Sequence, residues 1–236
     1  MAVSFDFGLV PKAVIEYLRA KGYKLTFDYD ELIKEAHHKA FTIAKITRLD
    51  LLEDVHKSLL DAMENGKGFK EWKEQITPVL QEKGWWGEVE SVNPETGEVK
   101  DIYVGSRRLR NIFKTNMRVA YNVGRNRQQR SLKVSEYWRY SAVMDRGTRP
   151  AHAARDGMVL HRDDTWWSTN YAPNDWGCRC KIRAYSKRQI EKRGWAIEKE
   201  APDNIAGKDW DYDIGAASSK ELDVHLVKRE KASKLL

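Results

Sequence analysis

The stretch Arg149–Cys180, RPAHAARDGMVLHRDDTWWSTNYAPNDWGCRC, holds the only two cysteines of the 236-residue chain, one residue apart and downstream of two histidines. Pro173 and Asn174 supply turn chemistry, and no long periodic run is present, so the stretch reads as a loop-rich block between two strands. Trp166, Trp167 and Trp176 lie inside it. Each ring buries a large area, which makes them staples for a segment with little regular structure; stacking on bases beside arginines is the other reading. A disulfide scaffold is excluded with two cysteines, and a bond between Cys178 and Cys180 would close a small, strained ring. If CRCKI is extended, residues two apart share a face, so both sulfurs can reach one soft ion while Arg179 points away.

Zinc on two thiolates needs two more ligands, and His152 and His161 would complete such a set, with Asp156, Asp163 and Asp164 as oxygen alternatives. The spacing matches no standard finger. Two other readings stay open on the same residues. Free cysteine packs as a compact hydrophobe, so the pair can be plain core. Alternatively, His152 could serve as base to a nucleophilic cysteine, or hold a hydrated ion with Asp145, Asp156 or Asp163, as a metal- or thiol-dependent nuclease or processing enzyme requires. No phosphate loop, G-x-S-x-G or HExxH accompanies them.

Working outward, YWRYSAV from Tyr137 reads as a strand with aromatics, CRCKIRAYS as a second strand and SKRQIEKRG as a helix. Upstream, SRRLRNIFKTNMRVAYNVGRNRQQR is a helix whose stripe is Leu109, Ile112, Phe113, Met117, Ala120 and Tyr121. Before it, EVESVNPETGEVKDIYVG carries Asn93, Pro94 and Gly97 between two short β-branched runs and reads as a hairpin. The N-terminal region is helical by period: KAVIEYLRAKGY after Pro11, a helix over residues 29–48, then LDLLEDVHKSLLDAMENG, and residues 69–83 with Pro78 as a bend or break. His37, His38 and His56 fall in these helices and read as surface or satisfied core residues. The fold class is therefore α+β, divided as an α-helical module (1–87), a hairpin or linker (88–105), a mixed α/β core module (106–200) and an extended tail (201–236).

Charge narrows the partners. The chain carries 42 Lys and Arg against 35 Asp and Glu, a net charge of +7 that favours polyanions or acidic protein surfaces. Between Asp101 and Glu136 there is no acid, while Arg107, Arg108, Arg110, Arg118, Arg125, Arg127 and Arg130 fall there. These are the candidate contacts for nucleic acid or a protein partner. No run approaches the ~18 apolar residues of a membrane span, and the N-terminus lacks the pattern of a signal peptide, so no membrane partner is expected.

The order RPAHAARDGMVL, then DDTWWSTNYAPNDWGCRCKIRAYS, resembles the signature block of phage head morphogenesis proteins similar to the Mu F minor head protein. FTIAKITRLDLLEDVHKSL, TPVLQEKGWWG, FKTNMRVAYNVGR and GKDWDYDIGAA extend the likeness over most of the chain. The resemblance implies a minor head protein of a tailed phage or prophage, binding rather than catalysing. Its expected partners are portal and head proteins, with DNA contacted non-specifically. Its expected place is the host cytoplasm during assembly and then the phage head. His152, Cys178 and Cys180 fall on the family's His and C-x-C positions, whereas His161 stands where proline is more usual.

Overall fold

The computed structural model describes residues 12–28, 40–208 and 210–213, which divide into two compact units, residues 1–120 and 121–236. The fold is α+β in class, with helices, short strand pairs and one three-stranded sheet.

The first unit is built on amphipathic helices. Helix α1 (Lys12–Arg19) buries Val14, Tyr17 and Leu18. Strands β1 (Gly22–Tyr23) and β2 (Ala40–Phe41) pair in parallel. Helix α2 (Leu49–Glu64) buries Leu51, Leu52, Val55, Leu59, Ala62 and Met63 at three- and four-residue spacing, the stripe that the sequence predicts. Helix α3 (Phe69–Glu82) turns Trp72, Ile76 and Leu80 inward, and Trp72 Nε1 donates to Ser58 Oγ at 2.9 Å. Pro78 neither breaks nor ends it, because α3 is continuous through that position.

One expected helix does not form as read. Residues 29–39, with His37 and His38, lie outside the described residues, and residues 40–48 are not helical: β2 is followed by a turn in which Lys45 takes a φ of 67°. Phe41 and Ile46 are fully buried, and Thr26 bridges Ile46, so the apolar spacing is satisfied by a strand and a folded-back turn instead of one helix face. His56 is a satisfied core residue, with Nε2 at 2.8 Å from the Leu18 carbonyl and Nδ1 at 3.0 Å from the Tyr23 hydroxyl.

Strands β3 (Gly87–Val92) and β4 (Val99–Val104) form an antiparallel hairpin. Asn93 shapes its loop, with Oδ1 accepting from the Glu95 N–H at 2.9 Å. Helix α4 (Ser106–Ser131) follows, the acid-free segment of the sequence.

The second unit centres on an antiparallel sheet in the order β6–β5–β7: β5 (Tyr137–Ser141), β6 (Val159–His161) and β7 (Lys181–Tyr185). Strand β5 alternates, placing Trp138 and Tyr140 in the core. Helices α5 (Pro150–Ala153) and α6 (Trp167–Asn170) interrupt the long connections, and α7 (Lys187–Lys192) begins with a capping box between Ser186 and Gln189. Trp138, Trp167 and Tyr171 meet edge to face at 5.1–5.6 Å, and Trp166 contacts Trp167 at 5.0 Å. These rings staple the loop-rich block, as their density in the sequence suggests.

Candidate metal centre

His152 is carried on α5, whose first residue is Pro150, a position where the missing N–H costs no helical hydrogen bond. Arg149 anchors this corner by donating from Nε to Asp175 Oδ2 and from Nη2 to the Trp176 carbonyl, both at 2.9 Å. The cysteines arrive from the other side. The strand expected across residues 178–186 begins only at Lys181, so Cys178 and Cys180 lie on the turn that feeds β7. Gly177, at a φ of 71°, and the Cys178 N–H bonded to the Asp175 carbonyl at 3.0 Å shape that turn. The sulfurs still share one side, and Arg179 still points away, where its guanidinium makes a two-pronged contact with Asp145.

His152, Cys178 and Cys180 therefore converge. Nδ1 of His152 stands 3.7 Å from Cys178 Sγ and 3.8 Å from Cys180 Sγ, and all three side chains are buried, at 2%, 5% and 3% exposure. The three ligand atoms lie within 4.8 Å of one another, the only such group among the described residues. Two soft sulfurs and an imidazole nitrogen facing a common centre could hold a metal ion.

The surroundings favour a thiolate. Cys178 is pushed down, chiefly by the hydrogen bond from the Cys180 thiol, then by His152 and by the backbone N–H groups of Asn174 and Cys180, against the opposing effect of burial. Cys180 is pushed up, because it keeps the proton that the pair shares and is buried. Tyr140 lies against Cys180, and its hydroxyl donates to Asn174 Oδ1 at 2.8 Å; burial holds that phenol well above its ordinary value. Tyr140 and Asn174 are thus the neighbours of the sulfurs that sequence reasoning missed. The alternation of β5 marks Tyr140 as inward-facing, but nothing in the spacing links it to residues forty positions downstream.

The structure does not bring His161 to the group. It sits exposed at the end of β6, with Nδ1 accepting from the Asp163 N–H at 3.3 Å and its ring edge-on to Tyr137 at 5.6 Å. The reserve carboxylates are engaged elsewhere: Asp156 accepts from the Ala142 N–H and Asp164 from the Trp166 N–H.

The arginines of α4 divide between structure and surface. Arg108 donates to the Ala44 carbonyl at 2.5 Å and lies over Trp85, and its burial lowers its basicity. Arg125 donates to Asn122 Oδ1, and Arg130 donates to Asn126 Oδ1 and pairs with Asp213. Arg118 and Arg127 are half-buried and have partners of their own. Arg107 and Arg110 are exposed, Arg110 lying over the Phe69 ring at 4.6 Å.

Over residues 53–183 the chain matches the family described as "Phage Mu protein F like protein". It is 42% identical over 191 residues to the "Putative capsid assembly protein F" of Escherichia phage Mu, across 80% of this chain and 43% of that protein. It is 38% identical over 194 residues to the "Mu-like prophage FluMu F protein" of Haemophilus influenzae, across 79% of this chain and 46% of that protein. The chain thus spans less than half the length of these curated relatives. No solved structure matches.

Proposed function

The chain belongs to the phage Mu protein F like family, and from that premise we propose that it is a minor head protein that acts in capsid assembly by binding, with its loop-rich block locked by a zinc ion on His152, Cys178 and Cys180. The observation that carries this reading is that the three ligand residues converge, and that all three lie within the matched residues 53–183. Zinc suits the distances. Tetrahedral zinc with sulfur at about 2.3 Å and nitrogen at about 2.0 Å separates those atoms by about 3.5 Å, close to the 3.7 and 3.8 Å between Nδ1 and the sulfurs. The metal would supply folding energy to a unit whose connections have little regular structure.

In this reading residues 106–200 are the functional module, a division by function whose start precedes the boundary between the compact units at residues 120 and 121. The assembly acts near the portal, in the host cytoplasm before the finished head. The exposed part of the α4 arginines contacts head or portal proteins, and DNA without sequence preference. No helix among the described residues is long and apolar enough to cross a membrane.

The test is a pull-down of purified portal and head proteins of the same phage by the full chain, with and without chelator. Portal captured by the metal-loaded chain, and lost with chelator or in Cys178→Ser, is the expected result. Capture of none of the head proteins would refute the assembly reading. DNA binding, measured alongside, is expected to fall steeply with salt, since phosphate contacts release counterions.

A further inference from the structure

The β3–β4 hairpin has one face packed and one bare. On the packed face Ser91 donates to the Lys45 carbonyl, and Lys100 lies over Phe27 and pairs with Asp28. The outer face is fixed by the register: Glu88 opposite Tyr103, Glu90 opposite Asp101, and Val92 opposite Val99. All six are exposed, Tyr103 at 72%, Val99 at 55% and Val92 at 46%. The strands pair only with each other among the described residues.

Two features of that face are unfavourable for an isolated chain. Glu90 and Asp101 are like charges directly opposite each other, which destabilises a strand pair. The side-chain carboxylates of Glu88, Glu90 and Asp101 have no ion-pair or hydrogen-bond partner among the described residues, in a chain whose net charge is +7. An exposed tyrosine beside unpaired carboxylates and two valines fits a basic protein surface with aliphatic stems, because aromatic anchors ringed by charge dominate protein contacts.

The chain carries such a surface itself. Arg107, Arg110 and Lys114 are exposed and spaced by three and four residues, so they line one face of the first three turns of α4. They form no ion pair with the hairpin acids of their own chain. The stripe is about 10 Å long at 1.5 Å per residue, against about 13 Å for the four-residue span of the hairpin face. The three acids occupy about 7 Å of that span, at Glu88 and the Glu90–Asp101 pair, with Val92 and Val99 filling the rest, so three bases and three acids lie on stripes of comparable length.

We propose that the outer face of the β3–β4 hairpin docks on the Arg107, Arg110 and Lys114 stripe of a second copy of this chain. Each copy offers both surfaces, so the contact is head-to-tail and generates a ring or a chain of copies. This inference rests on neither the metal reading nor DNA contact.

Sedimentation velocity on the full chain tests it. Unmodified chain is expected to self-associate at low salt and to dissociate in 1 M salt, where screening length falls to ~3 Å. The reversals E88K/E90K/D101K and R107E/R110E/K114E are each expected to weaken self-association about tenfold or more. An equal mixture of the two variants is expected to restore self-association as alternating copies, since the reversed hairpin of one meets the reversed stripe of the other and the unaltered hairpin of the second meets the unaltered stripe of the first. A second measurement needs no variant: zero-length carboxylate-to-amine cross-linking of mixed unlabelled and 15N-labelled chains should join Lys114 of one copy to Glu88, Glu90 or Asp101 of another. A chain that stays monomeric at low salt, a variant mixture that does not pair, or the absence of that cross-link between copies would overturn the proposal.

Discussion

Arg179 stands between the two cysteines, and its contact with Asp145 keeps the intervening residue turned outward so that both sulfurs face His152. That contact holds the Asp145 carboxyl down at about 2, the Arg179 hydrogen bond being the largest cause. The folded value lies below the ordinary 3.8, so the stabilisation is full above the ordinary value and disappears as pH falls through about 2. Asp145→Asn should therefore lower the melting temperature slightly at neutral pH, and the difference from the unmodified chain should vanish near pH 2, as followed by circular dichroism. At this scale the sequence was informative where chemistry is local. A C-x-C pair puts two sulfurs on one side whether the backbone is a strand or a turn, which is why their shared direction was legible although the strand starts at Lys181. His161 was not, because its orientation depends on the register of β6 against Tyr137, which no spacing encodes. Tyr140 and Asn174 were missed for the same reason: their meeting is a product of tertiary packing.

Helix α4 shows how an element can have a legible period and an illegible role. Of the predicted stripe, Leu109, Ile112, Met117 and Ala120 are buried, whereas Phe113 is half-buried and Tyr121 is exposed. Its polar residues read as solvent-facing, yet Asn122, Asn126 and Gln129 are buried. Gln129 donates to the Ile182 carbonyl at 2.9 Å and accepts from the Tyr171 hydroxyl at 2.9 Å, tying the end of α4 to β7 and to the stapled block. Gln129→Ala should destabilise the chain by about 1–3 kcal/mol, the cost of leaving a buried hydroxyl unpaired. Urea unfolding checks this, and a change within error would show that the network carries no stability. The misreading of residues 40–48 has a similar origin. Ala40, Ile43, Ala44 and Thr47 have spacing that suits a helix, but the residues buried are Phe41, Ile43 and Ile46, turned inward by a two-residue parallel pairing with β1 and a bridge to Thr26, both contacts remote in sequence.

The whole molecule divides into two units with different sources of stability. The first buries the faces of regular helices, whereas the second relies on a three-stranded sheet, a cluster of aromatic rings and the His152, Cys178 and Cys180 group. If a metal locks the second unit, its removal acts there first, because stability is regional. Hydrogen exchange after chelation should show lost protection in residues 137–185 and unchanged protection in α2 and α3; uniform loss would contradict a local lock. The central claim is met most directly by zinc X-ray absorption on the purified full chain. One zinc per chain is predicted, with two sulfurs at about 2.3 Å and an imidazole nitrogen at about 2.0 Å, and one sulfur fewer in Cys178→Ser. A chain without zinc, or zinc bound by oxygen and nitrogen alone, would contradict it.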